Sequence, residues 1–243
     1  MSAPFLSIII PAHNEERRLP RTLEQVLAFL KNQTCTCEVL IVENGSIDHT
    51  FEIAQEYASR HPSLRVLRES ESGKGLAVRR GMLEADGEYR FMCDADLSMS
   101  IDQINSFLPP ASGNVDIAIG SREAPGAVRD GEPSYRHIGG RIINLAIRIL
   151  ILPGLQDTQC GFKCFRAAAA EQVFRRQTLP GWSFDIELLY IARRLGLTIH
   201  EIPIHWRFSP ETKLRAVQDA LRMLRDIFRI HLNARRGVYD RNP

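Results

Sequence analysis

No stretch of this 243-residue chain approaches the roughly 20 apolar residues that a membrane-crossing helix needs. The nearest, IINLAIRILIL at 142–152, is far shorter and carries Arg148. An excess of either charge is also missing: 31 Lys and Arg face 29 Asp and Glu, for a net charge of +2. No global field therefore points to nucleic acid, and any basic surface must be local. Cysteines are few. Cys35, Cys37, Cys93, Cys160 and Cys164 are odd in number and irregularly spaced, which argues against a secreted disulfide framework and would pair for zinc only in an unusual spacing. They read as reduced thiols of a cytosolic protein. The opening MSAPFLSIIIPAHNE lacks a basic leader and a long apolar core, so no signal peptide is expected. Two phosphate signatures are absent as well. No G-x-G-x-x-G follows the first apolar run. No G-x-x-x-x-G-K-[ST] occurs either: Gly75 follows Gly73-Lys74, and Arg68 stands where the first glycine would be.

What is present is an alternation of two periods. LSIII (6–10), EVLIV (38–42), LRVLR (64–68), YRFMC (89–93) and VDIAIG (115–120) read as strands, several of them apolar enough to be covered on both faces. Helical patterns fall between them at about 16–31, 49–60 and 75–85. Such alternation predicts an α/β fold with a mostly parallel sheet and right-handed crossovers. Ligands of such sheets sit beyond the carboxyl ends of the strands. There the chain places PAHNEE (11–16), ENGSIDHT (43–50), DADLS (94–98) and Ser121-Arg122, so acids and small polar residues gather on one edge. The D-x-D of Asp94 and Asp96 fits a Mg2+ or Mn2+ site completed by substrate phosphates, general acid–base chemistry, or simple turn capping. Asp48 is expected to cap the helix after it, and Gly45 to supply a turn. Lys74, beside a helix N-terminus, suits a phosphate. Of Arg79 and Arg80, one is expected exposed and one buried.

The second half reads differently. EAPGAVRDGEPS (123–134) is expected to be a mobile loop. Helices are expected at 138–152, 167–176, 184–195 and 211–233, with a strand at 198–206 that puts His200 and His205 on opposite faces. In the last helix Leu214, Val217, Leu221, Leu224 and Phe228 form one apolar stripe, and Arg215, Arg222, Arg229 and Arg236 recur every seven residues beside it. This amphipathic, basic segment, 211–243, is set apart from a main domain at 1–210. It suits either packing on the core or lying on an anionic membrane, and Arg141 and Arg148 give the 138–152 helix a similar character.

Six segments, SIIIPAHNEE, VENGSIDHT, GKGLAVRRG, DADLS, GSR and DTQCGFK, occur in an order that resembles the family 2 glycosyltransferases of GT-A fold. More closely they resemble the dolichyl- and polyprenyl-phosphate glucosyl- and mannosyltransferases, with DTQCGFK most similar to the glucosyl branch. The resemblance spans roughly residues 5–215. It implies an inverting, metal-dependent transfer of glucose or mannose from UDP-glucose or GDP-mannose to a polyprenyl or dolichyl phosphate. By the same resemblance Pro11, Ala12, Asn14, Glu15, Glu43 and Gly45 line the nucleotide pocket, with Lys74 near the phosphates. Asp94, Ala95 and Asp96 form the metal-binding motif, Asp96 being the more direct ligand. Arg122 and Gln159 face the sugar or acceptor end. Read from the residues themselves, Arg122, Arg136 and Lys213 would gather the acceptor phosphate, and Asp157 would orient the sugar, bind an arginine or cap its loop. An acceptor that is already an anion needs no base; a soluble alcohol or glycan acceptor would, and Asp157 is then the candidate. A sugar-nucleotide binder without turnover is the reading from another class. The expected partners are the nucleotide sugar and the lipid phosphate, with no nucleic acid. The expected setting is cytoplasmic with peripheral membrane contact, and homo-oligomerisation stays open.

Overall fold

The computed structural model of the chain describes residues 3–208 and 216–240. The five expected strands are β1 (Leu6–Ala12), β2 (Cys37–Asn44), β3 (Leu64–Glu69), β4 (Tyr89–Met92) and β5 (Ile117–Ser121). The first three crossovers contain α1 (Leu19–Lys31), α2 (Thr50–Arg60) and α3 (Lys74–Glu84). α1 begins three residues later than expected, where Pro20 opens its first turn and removes a backbone donor that would be unsatisfied anyway. Its Leu19, Leu23, Val26 and Phe29 recur at helical spacing and are buried.

Further along come β6 (Val128–Asp130), α4 (Ser134–Leu150), β7 (Lys163–Arg166), α5 (Ala167–Arg176), α6 (Phe184–Arg194), β8 (Ile199–Pro203), β9 (His205–Arg207) and α7 (Ala216–Arg235). The main sheet runs β3-β2-β1-β4-β7-β5-β8. It is parallel except for β7, which lies antiparallel between β4 and β5. Both faces are covered. Ile8 and Ile10 point into a core with α1, while Ile9 between them points into a core with α3, α5, α6 and α7. That two-sided burial is why these strands read as unbroken apolar runs.

Three expectations are corrected. The segment 123–134 is not simply a loop: β6 pairs in parallel with β9 as a second small sheet, and Arg129 binds Glu123 and Glu132 beside it. The strand expected at 198–206 is two strands in two sheets, divided at Ile204, so parity does not relate its histidines. His200 meets the Ser112 carbonyl and His205 meets Asp130. In α7 the core is met by Ile227, Ile230 and Ala234, whereas Leu221, Leu224 and Phe228 of the expected apolar stripe are exposed. Leu214, Lys213 and Arg215 lie outside the described residues.

Candidate active site

The apolar β4 ends at Met92, and the chain turns at once. Asp94 is half-buried, Ala95 is buried and Asp96 is exposed. The turn closes through Leu97, whose φ of 41° lies in the left-handed region that a leucine rarely enters. Backbone held this way marks a site over-determined by its surroundings. The Ser98 N–H donates to Asp96 Oδ1 at 3.0 Å, and Thr22 of α1 donates to the Ala95 carbonyl at 2.6 Å. The Asp96 carboxylate and the backbone at Ala95 are thus each held by a hydrogen bond. Lys74, first residue of α3, places Nζ 2.5 Å from Asp94 Oδ1 and 5.0 Å from the centre of the Trp182 ring. Burial disfavours charge on Lys74, but Asp94, Asp185 and Asp96 outweigh it and raise its pKa.

Behind this pair lies a second one. Lys163 of β7 is fully buried and donates to Asp185 Oδ1 at 2.6 Å and to the Cys160 carbonyl at 2.5 Å. Burial raises the Asp185 pKa, and Lys163 and Lys74 only partly offset it. Lys163, Asp185, Lys74 and Asp94 therefore form an alternating row of charge leading from the core to the strand tip.

The loops after β1 and β2 are laced together. Asn14 has a φ of 53°, its N–H donates to Ser46 Oγ, and its Oδ1 accepts from Ile47 N–H at 2.9 Å. Glu15 N–H donates to Thr50 Oγ1 at 2.8 Å, and Glu16 N–H donates to Asp48. Asp48 also accepts from Thr50 N–H, so it serves the start of α2 as expected, from one residue before the capping position. Gly45 has a φ of 63° with open space around it, so it is there for the turn. Glu43 is fully buried and accepts from Ser46 N–H at 2.5 Å and Arg68 Nε at 3.2 Å. Pro11 and Ala12 close β1 beside Val42 and Glu43. Outside this region, Arg79 is half-buried on the Phe174 carbonyl and Arg80 is exposed.

On the other side of the edge, Arg122 grips Asp157 with Nε and Nη2, at 2.7 and 2.9 Å, and with its own N–H at 3.0 Å. Asp157 is fully buried. Burial alone would raise its pKa, but the Arg122 guanidinium and these hydrogen bonds hold it down at about 2. A carboxylate so reluctant to take a proton is a poor general base, and the arginine it binds is correspondingly committed. Gln159 N–H donates to the same carboxylate, and Glu201 of β8 accepts the N–H groups of Gln156 and Asp157. Gly161 then abuts Asp94: a Cβ there would run into its carboxylate. The 157–161 loop thus joins the Arg122 cluster to the D-x-D turn. Arg136 is in the first turn of α4, and nothing is described of its side chain.

Sequence reasoning did not single out Gly161, Lys163, Trp182, Asp185 or Glu201. Trp182 and Asp185 stand together in PGWSFD (180–185), an aromatic and an acid beside a Pro-Gly turn, which was a usable signal. Gly161 and Lys163 lie inside the DTQCGFK segment (157–163), but a lysine reads as surface, so its burial was not expected.

No group of three or more His, Cys, Asp or Glu side chains able to hold a metal occurs among the described residues. Two carboxylates with a cationic group already at one of them fit a hard divalent cation whose remaining ligands come from a bound phosphate or water.

Comparison with known proteins agrees with this geometry. Residues 7–174 match the model of "Glycosyl transferase family 2". The chain is 35% identical over 240 residues to the dolichyl-phosphate beta-glucosyltransferase of Drosophila melanogaster, covering 93% of this chain and 74% of that one. Against the human protein of the same name it is 32% identical, covering 96% and 77%. Among solved structures, glucosyl-3-phosphoglycerate synthase from Mycobacterium tuberculosis, in complex with Mn2+ and UDP-glucose, superposes with a TM-score of 0.65 at 20% identity, over 96% of this chain and 79% of that one. That likeness establishes the fold. The β4 turn with its two aspartates, the laced loops after β1 and β2 and the match over most of the chain together make this protein a member of glycosyl transferase family 2.

Proposed function

We propose that the protein transfers glucose from UDP-glucose to a polyprenyl phosphate such as dolichyl phosphate, with inversion at the anomeric carbon. The observation that carries this reading is the juxtaposition, on one sheet edge, of Asp94 and Asp96 with Lys74 and of the Asp157–Arg122 pair, joined by Gly161. The relatives named as dolichyl-phosphate beta-glucosyltransferases and the fold neighbours crystallised with Mn2+ and UDP-glucose support glucose over mannose and UDP over GDP.

In this reading Pro11, Ala12, Asn14, Glu15, Glu43 and Gly45 shape the nucleotide pocket. Asp94 and Asp96 would hold Mg2+ or Mn2+, whose charge offsets that developing on the departing diphosphate. Lys74, freed from Asp94 when the donor arrives, supplies a further positive charge to the phosphates. An oxygen of the acceptor phosphate attacks the anomeric carbon as the bond from that carbon to the diphosphate oxygen breaks, and UDP leaves. The attacking oxygen is already anionic, so no proton has to be removed. Arg122, held in place by Asp157, together with Gln159, Arg136 and Lys213, positions sugar and acceptor. The competing reading, an alcohol acceptor with Asp157 as base, is disfavoured by the depressed Asp157 pKa.

The test is transfer from radiolabelled UDP-glucose and GDP-mannose into organic-extractable polyprenyl phosphate, with Mg2+, with Mn2+ and with EDTA. The expected result is metal-dependent lipid label from UDP-glucose, lost in Asp96→Ala. Label from GDP-mannose alone would overturn the donor; donor binding without lipid label would overturn the acceptor.

A further inference from the structure

Trp182 is 48% exposed, although the turn that carries it is tied down from several directions. A single exposed apolar side chain needs no explanation. One on a rigid mount beside a polar site does, because fixing it costs conformational entropy. Pro180 accepts the Gly75 N–H at 2.8 Å, so the turn rests on the N-terminus of α3. Buried Gln177 donates from Nε2 to the Gly75 and Leu179 carbonyls, both at 2.9 Å. Buried Glu187 of α6 accepts the Thr178 and Leu179 N–H groups at 2.9 and 2.7 Å. Glycine permits the close approach: a Cβ on Gly73 would strike the Pro180 carbonyl, and one on Gly75 the Leu179 carbonyl. Ser183 and Phe184, which follow Trp182, are buried.

This mount sets the indole at one point of the site. The ring centre is 5.0 Å from Lys74 Nζ, which is itself 2.5 Å from Asp94 Oδ1. Three residues after Trp182, Asp185 pairs with Lys163 of β7. β7 lies on the opposite side of β4 from β1 and β2, whose loops shape the nucleotide end in the proposed function. The segment 182–185 therefore joins the cationic group at Asp94 to the β7 side of the D-x-D turn. A donor whose diphosphate meets Lys74, and whose nucleoside lies toward β1 and β2, brings its sugar to this side.

We infer that Trp182 is the platform on which the hexose of the nucleotide sugar stacks. The inference rests on the donor half of the proposed function and adds a residue for the sugar itself. A pyranose with equatorial hydroxyls has faces made largely of C–H bonds, whose slight positive charge suits the negative face of an aromatic ring. Stacking takes both apolar surfaces out of water and leaves the rim of hydroxyls free for hydrogen bonds. Without donor, the same ring attracts the Lys74 ammonium. When that lysine turns to the diphosphate, the ring is released to the sugar.

The experiment measures calorimetric binding of UDP and of UDP-glucose, each with Mg2+, to the full chain and to Trp182→Ala and Trp182→Phe. The substitution is at an exposed position, so the fold is not at stake. Trp182→Ala should weaken UDP-glucose about fivefold or more and leave UDP within about twofold of wild type. Trp182→Phe, which keeps an aromatic face, should recover most of the loss. In transfer to a short polyprenyl phosphate, Trp182→Ala should raise the KM for UDP-glucose and leave that for the lipid phosphate in place. Equal weakening of UDP and UDP-glucose would overturn the inference, because Trp182 would then act only through Lys74. An unchanged UDP-glucose affinity in Trp182→Ala would overturn it too, with the donor reading intact. Wild-type protein that binds UDP but not UDP-glucose would overturn the donor reading and the platform together. The expected affinities without any lipid transfer would support the platform and count against the acceptor alone.

Discussion

At the scale of single residues, Asp157 shows how an acid can look catalytic in sequence and act otherwise in structure. Its loop position and proximity to Gln159 allow a base, and only the three contacts from Arg122 reveal a clamp. Its pKa lies below the usual carboxylate value, so its stabilising contribution is complete above the ordinary pKa of 3.8 and is lost as the pH falls through about 2. That difference amounts to about 2 kcal/mol. Asp157→Asn should therefore lower stability at neutral pH and flatten the loss between pH 4 and pH 2, read by chemical denaturation across pH; an unchanged acid limb would refute the assignment. Its kcat/KM should drop about 100-fold if Arg122 has to be held within an ångström of its working place. Gly161→Ala offers a separate test. The new methyl displaces the Asp94 carboxylate, so Mn2+ binding, followed by electron paramagnetic resonance, should weaken about tenfold or more. The position of Asp94 and Asp96 at a strand tip was legible because two acids follow a buried apolar run, whereas their reading as a metal site came from the resemblance. Lys163 and Asp185 were not, because their burial depends on each other.

At the scale of elements, strands with continuous apolar runs and helices with a repeated apolar face were readable to within a few residues. β7, β6 and β9 were not. They are three or four residues long, too short for a period to register, and β7 carries a lysine whose paired carboxylate, Asp185, is 22 positions away. The joint between α3 and the sheet is more demanding than its glycines suggested. A Cβ on Gly81 would lie 2.5 Å from Ile9 Cγ2 and 2.9 Å from Val42 Cγ2, methyls at the centre of the sheet. Alanine is favoured over glycine in a helix by about 1 kcal/mol, yet forcing a methyl into a filled core costs about 1–3 kcal/mol. Gly81→Ala should be net destabilising. Gly139→Ala, in α4 with open space around it, should instead stabilise by up to about 1 kcal/mol. Thermal unfolding of both variants decides the matter, since propensity alone predicts the same sign for each.

At the scale of the molecule, the site has no third metal-binding side chain among the described residues, and a lysine occupies Asp94. Under the proposed function, this arrangement predicts a coupling between metal and nucleotide. A cation alone must compete with Lys74 and finds two carboxylates; a nucleotide diphosphate alone meets the negative charge of Asp96 and has to draw Lys74 away from Asp94. Together they complete each other's ligands, so each should bind more tightly in the presence of the other, by the same factor. Ligands that bind only the folded state raise its stability by about 2.7 kcal/mol at a hundredfold excess over Kd. For a chain of this size that is a melting shift of about 5–10 °C. UDP with Mn2+ should give such a shift, while UDP with EDTA, or Mn2+ without UDP, should give a small fraction of it. In Asp96→Ala the combined shift should collapse to the sum of the two separate ones. Equal shifts with UDP in the presence and absence of metal would mean that protein side chains alone hold the diphosphate, and Lys74 rather than the aspartates would then become the group on which donor binding turns.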